Sequence, residues 1–282
     1  SWKGLALTAD VNPYLMEANP YHGTMSAVEE VCRNLSSVGA RIDSLADCLC
    51  FGNPRKPDIM GQFKASCEAL RDAATALDVP YVSGNVSLYN ETSEGAIPPT
   101  PVLMGVGIVN DIRKCTTSDM KSEGTVWLVG DTKEEMGASL YYRAIGKECP
   151  SIPKTDFDSF IPRMEQLIQA IENGEVVACH DISTGGLAMA VIEMCMSGNG
   201  VKINLTGKMR ADVELFSEGN GRWVVQVAPG SEEKFRKRFD FAEIIGDVDD
   251  KIIFNKNDEK LVELEIDKTR EEWINPIWKR LA

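Results

Sequence analysis

"YVSGNVSLYNET", residues 81–92, decides how the first third of this chain is read. Tyr81-Val82-Ser83 has strand composition, Gly84-Asn85 interrupts it, and Val86-Ser87-Leu88-Tyr89 resumes it. A Gly-Asn pair between two such runs signals a tight hairpin turn. The other reading is a ligand grip. Gly84 removes a side chain where a phosphate or nucleoside approaches, and Asn85 offers a carbonyl oxygen suited to a hard cation. Ser87, two residues further along an extended segment, points to the same side as Asn85. The local residues leave both readings open.

Outward from this stretch, strands and helices alternate. Gly4 to Ala9 reads as a strand, and Thr24 to Gly39 as a helix with Ser26 and Glu29 at capping-box spacing. Leu45 to Phe51 is a short apolar strand, and Pro57-Asp58 opens a helix that closes before Pro80. Pro101 to Val109 is a further strand. A boundary is expected near Asn110-Asp111, where this strand gives way to a polar run. Beyond it the pattern predicts a strand at Val126–Val129 and a helix at Lys133–Ala144. Phe157–Glu172 and Leu187–Met196 read as helices, the latter after a strand at Val176–Cys179. Later strands are expected at Val201–Leu205, Trp223–Val227, Ile252–Phe254 and Leu261–Ile266. The charges around Lys234–Arg238 read as a solvated helix face. Two α+β domains, 1–111 and 112–282, are expected.

The 282 residues are 43% apolar and 26% charged, as in globular proteins that bury a substantial core. A formal net charge of −13 argues against nucleic-acid or anionic-membrane partners. No apolar run approaches the ~20 residues that span a bilayer, and no secretory signal is expected from the opening Ser1-Trp2-Lys3-Gly4, which lacks a basic region followed by an apolar core. The eight cysteines include no Cys-x-x-Cys pair, and there are two histidines. Reduced thiols in a cytoplasmic protein are therefore expected, rather than a zinc site or disulfides.

The phosphate-loop, dinucleotide and nucleophile-elbow signatures are absent. Three candidates remain besides residues 81–92. Asp47 interrupts a strand-like run before Gly52-Asn53-Pro54, where a carboxylate can bind a hydroxyl, an amine or a cation, or its own backbone. His180-Asp181 precedes Gly185-Gly186 and a helix whose first amides could hold an anion, although a His beside Asp also orients loops. Ser217-Glu218-Gly219-Asn220-Gly221 is a polar, glycine-rich loop before a strand.

In combination these stretches are far more specific. "LALTADVNPYLMEANPYHG" (5–23), "DCLCFGNPRKPDIMGQF" (47–63), "VSGNVSLYNET" (82–92), "PTPVLMGVGIVND" (99–111) and "HDISTGGLAMAVIEM" (180–194) follow in order. The chain resembles the second half of the large subunit of the phosphoribosylformylglycinamidine synthase family. That subunit is an internal duplication, A1-B1-A2-B2, whose A–B pairs resemble aminoimidazole ribonucleotide synthase. The resemblance implies an N-terminal α/β domain giving strands to a shared β-barrel, and a C-terminal α/β sandwich. It implies an ATP-dependent ligase that uses magnesium and glutamine-derived ammonia to convert formylglycinamide ribonucleotide to the amidine.

By the same resemblance Asp47 and Gly84 are ATP contacts, Asn85 is a magnesium ligand and Ser87 touches the ribonucleotide. His180, Asp181, Ser217 and Glu218 correspond to an auxiliary nucleotide pocket. No catalytic base is assigned to His22 or His180, because the family's bases lie in the first half. The implied partners are that first half, a glutaminase subunit and a small accessory subunit, with a homodimer through the N-terminal domain when isolated. Inactivity without the first half is expected. The competing reading is a non-catalytic nucleotide-binding and assembly module.

Overall fold

A computed structural model describes residues 1–277. The chain opens with β1 (Gly4–Asp10), α1 (Pro13–Ala18), α2 (Pro20–Ser37), β2 (Arg41–Cys50) and α3 (Pro57–Leu77). It continues through β3 (Tyr81–Ser87), a small ribbon of β4 (Glu91–Thr92) and β5 (Gly95–Ala96), and β6 (Thr100–Val109). The main sheet has the order β1-β6-β2-β3, with β2 and β3 parallel and the other pairs antiparallel. Strand alternation gives this sheet two unlike faces. Leu45, Leu49 and Leu103 are buried in one core with Val31 and Leu35 of α2. Gly105 lets α2 lie close, since a Cβ there would collide with Val31. The other face is open: Leu5 is 69% exposed, Leu7 63% and Met104 40%.

The second half contains β7 (Thr125–Val129), α4 (Leu140–Ala144), α5 (Phe157–Glu172), β8 (Val176–Asp181), α6 (Gly186–Cys195) and β9 (Gly200–Leu205). Then come α7 (Ala211–Phe216), β10 (Trp223–Val227), α8 (Glu232–Arg238), β11 (Glu243–Asp249), β12 (Ile252–Lys256), β13 (Glu259–Leu264) and α9 (Ile266–Ile274). Seven strands pair in the order β13-β12-β9-β11-β7-β10-β8. The run Trp223–Val227 is buried throughout because both faces of β10 are covered, and its one polar side chain, Gln226, donates to the Lys121 and Glu123 carbonyls. Trp223 stacks on Phe160 of α5 with ring centroids 5.6 Å apart, while Val224 packs with Val191 and Met194 of α6. Burying each such side chain contributes about 1.5–3 kcal/mol.

One open reading closes and two expectations need correction. Gly84-Asn85 makes no hairpin: β3 runs unbroken from Tyr81 to Ser87, held by pairing to β2. Ser26 and Glu29 form no capping box, because α2 begins at Pro20 with the Asn19 side chain accepting from the His22 N–H. The helix expected at 133–144 is confined to Leu140–Ala144. Residues 133–139 instead close against the 217–222 loop: the Ser217 hydroxyl donates to the Lys133 carbonyl, and Arg222 Nη1 donates to the Thr132 hydroxyl. Elsewhere α5 and β10 have the expected bounds, and the Lys234–Arg238 charges lie on α8.

Candidate functional site

The edge of the N-terminal sheet brings the sequence candidates together. In the parallel β2–β3 ladder, Asp47 lies opposite Gly84, Cys48 opposite Asn85 and Cys50 opposite Ser87. A Cβ on Gly84 would stand 2.9 and 3.0 Å from the two Asp47 carboxylate oxygens, so glycine is what lets that carboxylate rest on the strand. Burial raises the Asp47 pKa, and the Asn85 backbone N–H partly offsets it by donating to the carboxylate. Period-two alternation places Asn85 and Ser87 on the open face with Cys48 and Cys50. The Asp47–Gly84 pair lies on the helix-covered side. Asn85 and Ser87 thus face one side of the sheet at β3, and Gly84 with Asp47 of the neighbouring β2 the other, joined through the Asn85 backbone.

The turn after β3 is locked by a residue that sequence reasoning missed. Asn90 Nδ2 donates to the Phe51 carbonyl (3.1 Å), the Ser87 carbonyl (2.9 Å) and the Ser87 hydroxyl (3.1 Å). Tyr89 takes a left-handed φ of 62°, and its N–H reaches the Gly52 carbonyl. Glu91 accepts from the Asn53 N–H and from Lys56. The Gly52-Asn53-Pro54 and Tyr89-Asn90-Glu91 stretches thus clasp one another and fix where Ser87 stands. Their recurrence as polar turn residues was the available signal.

The second group of candidates lies in a buried charged junction between α2 and the seven-stranded sheet. Arg33 pairs with Glu29, approaches Glu30 at 3.7 Å and faces Asp181 at 3.6 Å. Glu29 also accepts from the Gly221 N–H at 3.0 Å, and Asn220 donates to the Ser26 hydroxyl at 2.8 Å. Burial raises the pKa of both Glu29 and Glu30, and Arg33 opposes this in each. Asp181 is held below its ordinary value: burial works against ionisation, but His180 and Arg33 outweigh it. His180 bonds the Asp181 backbone oxygen at 2.7 Å and Glu193 at 3.0 Å. Although burial disfavours its charge, these carboxylates lift its pKa to about 10.

The helix end that could hold an anion is filled from within. Glu218 Oε1 accepts from the Gly185 N–H and the Leu140 N–H, both at 2.8 Å. His180 and Asp181 bond each other, and Ser217 and Glu218 satisfy neighbouring loops. A nucleotide entering there would have to displace these protein contacts.

Family models fit this two-part architecture. The AIR synthase related protein N-terminal domain matches residues 1–109, and the corresponding C-terminal domain matches residues 121–254. The chain belongs to the AIR synthase related family. Phosphoribosylformylglycinamidine synthase subunit PurL of Thermococcus sibiricus is 41% identical over 266 residues, covering 92% of this chain and 37% of the relative. The same subunit of Methanothrix thermoacetophila is 40% identical over 288 aligned positions, covering 96% and 37%. T. maritima PurL complexed with FGAR superposes with a TM-score of 0.79 at 17% sequence identity, covering 95% of this chain and 46% of that one. This last likeness concerns the fold alone. The chain spans well under half the length of the curated relatives it matches.

Among the described residues no three His, Cys, Asp or Glu side chains gather as a metal cage, and no helix is long and apolar enough to cross a membrane. Asn85 contributes one oxygen on the open face. An amide oxygen is a donor type that a hard cation accepts, and it is one ligand where such an ion takes about six.

Proposed function

We propose that this chain supplies one A–B unit, 1–111 and 112–282, of a phosphoribosylformylglycinamidine synthase. In that reaction ATP activates the amide oxygen of formylglycinamide ribonucleotide, and ammonia derived from glutamine displaces the phosphate. The carrying observation is the edge strand β3. It presents Asn85 and Ser87 on an open apolar sheet, with Asp47 seated on Gly84 immediately behind. Phosphoryl transfer demands positioned donors and a neutralising metal rather than a protein nucleophile, which suits a site without a catalytic cysteine or base. Asp47 and Gly84 contact ATP, Asn85 shares Mg2+ with the phosphates, and Ser87 contacts the ribonucleotide.

The exposed Leu5, Leu7 and Met104 are the surface on which a second A-type sheet closes the barrel, and that second unit brings the acid–base residues. By itself the chain pairs with a second copy through the same sheet and is inactive. In the cytoplasmic assembly it works with a first-half unit, a glutaminase subunit and a small accessory subunit.

The test is ammonia-dependent turnover with ATP, Mg2+ and formylglycinamide ribonucleotide. The chain should turn over only when the first-half unit is added, and Asn85→Ala and Asp47→Ala should each abolish the restored rate. Full activity of both variants would refute the site. Turnover by the chain alone would refute its dependence on acid–base residues from the first-half unit. ADP binding lost in His180 and Ser217 variants but retained in Asp47→Ala would favour the nucleotide-binding and assembly module instead.

A further inference from the structure

On the open face of β2, directly beside the proposed site, two thiols stand together. Cys48 Sγ and Cys50 Sγ are 3.8 Å apart, and both residues are partly solvent-accessible. Asn85 Nδ2 lies 3.6 Å from Cys48 Sγ. Two sulfurs bound to one tetrahedral zinc at about 2.3 Å are separated by about 3.8 Å, so the thiols already hold the spacing of a chelate edge. A disulfide fits less well. Residues i and i+2 of a strand have Cα atoms about 6.4–6.8 Å apart, the far limit for a bridge, and β2 is clamped by ladders on both sides. Rotating the Asn85 amide by a half-turn exchanges nitrogen for oxygen and offers Oδ1 as a third ligand, leaving a fourth position for water.

We infer that Cys48, Cys50 and Asn85 form a binding site for a thiophilic divalent cation, Zn2+ or Cd2+. Binding deprotonates the two thiols and joins both sulfurs to the metal, with the protons released to solvent. Thiolates select such ions over Mg2+, whose preference is for oxygen. Occupation would engage Asn85 and so exclude magnesium nucleotide from the edge strand. That exclusion rests on the proposed function, whereas the binding itself does not.

The test is titration of the reduced, metal-free chain with Cd2+, read by the thiolate-to-cadmium charge-transfer absorbance. One equivalent should bind, and Cys48→Ser and Cys50→Ser should each weaken it at least tenfold. Cys115→Ser, which removes an exposed thiol elsewhere, should leave it unchanged. Undiminished binding in either of the first two variants, or no saturable binding in the wild type, would overturn the site. Asn85→Ala should weaken binding several-fold, and an unchanged affinity would remove Asn85 from the ligand set. Zn2+ should compete with Cd2+ stoichiometrically. In the assembled enzyme, Cd2+ binding that persists undisturbed by Mg-ATP would leave the thiolate site standing while refuting the nucleotide assignment beside it.

Discussion

Gly84→Ala separates the fold from the site more cleanly than any other single change. The added methyl would meet Asp47 Oδ2 at 2.9 Å and Oδ1 at 3.0 Å, so the carboxylate must retreat by about 0.5 Å to reach an ordinary contact of 3.4 Å. It is the far end of a short side chain and can swing away. Doing so weakens its bond from the Asn85 N–H, a loss of about 0.5–1.5 kcal/mol. Replacing glycine with alanine restricts the unfolded chain, which returns about 0.4–1 kcal/mol because β3 has no left-handed requirement at this position. The net change in stability is therefore close to zero, and urea midpoints should agree within error. Under the proposed function nucleotide binding should respond quite differently, because Asp47 would no longer sit where that proposal has it meet ATP. An affinity loss of at least tenfold, about 1.4 kcal/mol, is expected by titration of Mg-ATP into the assembled enzyme. Unchanged affinity in a folded variant would show that the Asp47–Gly84 contact does not serve ATP. A variant that fails to fold would refute the packing account instead.

Three further outcomes follow from the same geometry. Arg33→Met removes the cation shared by Glu29, Glu30 and Asp181, and should cost about 3–5 kcal/mol by urea denaturation at neutral pH. The deficit should shrink as pH falls below neutral, because Glu29 and Glu30, raised above the ordinary carboxylate range by burial, take up protons first; a loss under about 1 kcal/mol at neutral pH would refute the junction. His180 carries a folded pKa raised to about 10, so its contribution is complete below about 6.5 and disappears as pH rises through 10. His180→Gln should therefore destabilise most at pH 6 and least above pH 10, and a pH-independent difference would contradict the pairing with Asp181 and Glu193. The double change Leu5→Glu and Leu7→Glu should convert a dimer to a monomer by light scattering, and a wild type that is monomeric at micromolar concentration would refute pairing through the sheet.

Much of the secondary structure was legible because it depends on local periodicity. The bounds of α5 and β10 follow from an amphipathic sixteen-residue helix and a five-residue apolar strand. β11 was missed: Glu243–Asp249 alternates poorly, and its pairing shifts register between Ile244 and Gly246 against β7. The capping-box reading of Ser26 and Glu29 failed because spacing cannot tell a solvated helix start from a buried helix middle. Only the approach of the 217–222 loop makes Glu29 an interior charge.

The ordered motifs alone determined the family resemblance and the residue types offered by the site: one carboxylate, one glycine, one amide and one hydroxyl. The sequence could not decide between a turn and a strand at Gly84-Asn85, because the deciding hydrogen bonds come from β2, more than thirty residues earlier. Tertiary structure made that stretch an edge strand. It set Asp47 on the glycine and turned Asn85 and Ser87 towards the open sheet. It also filled the second candidate pocket with Glu218 and placed Arg33 beside Asp181, because buried charges and helix ends need partners that only a distant segment supplies.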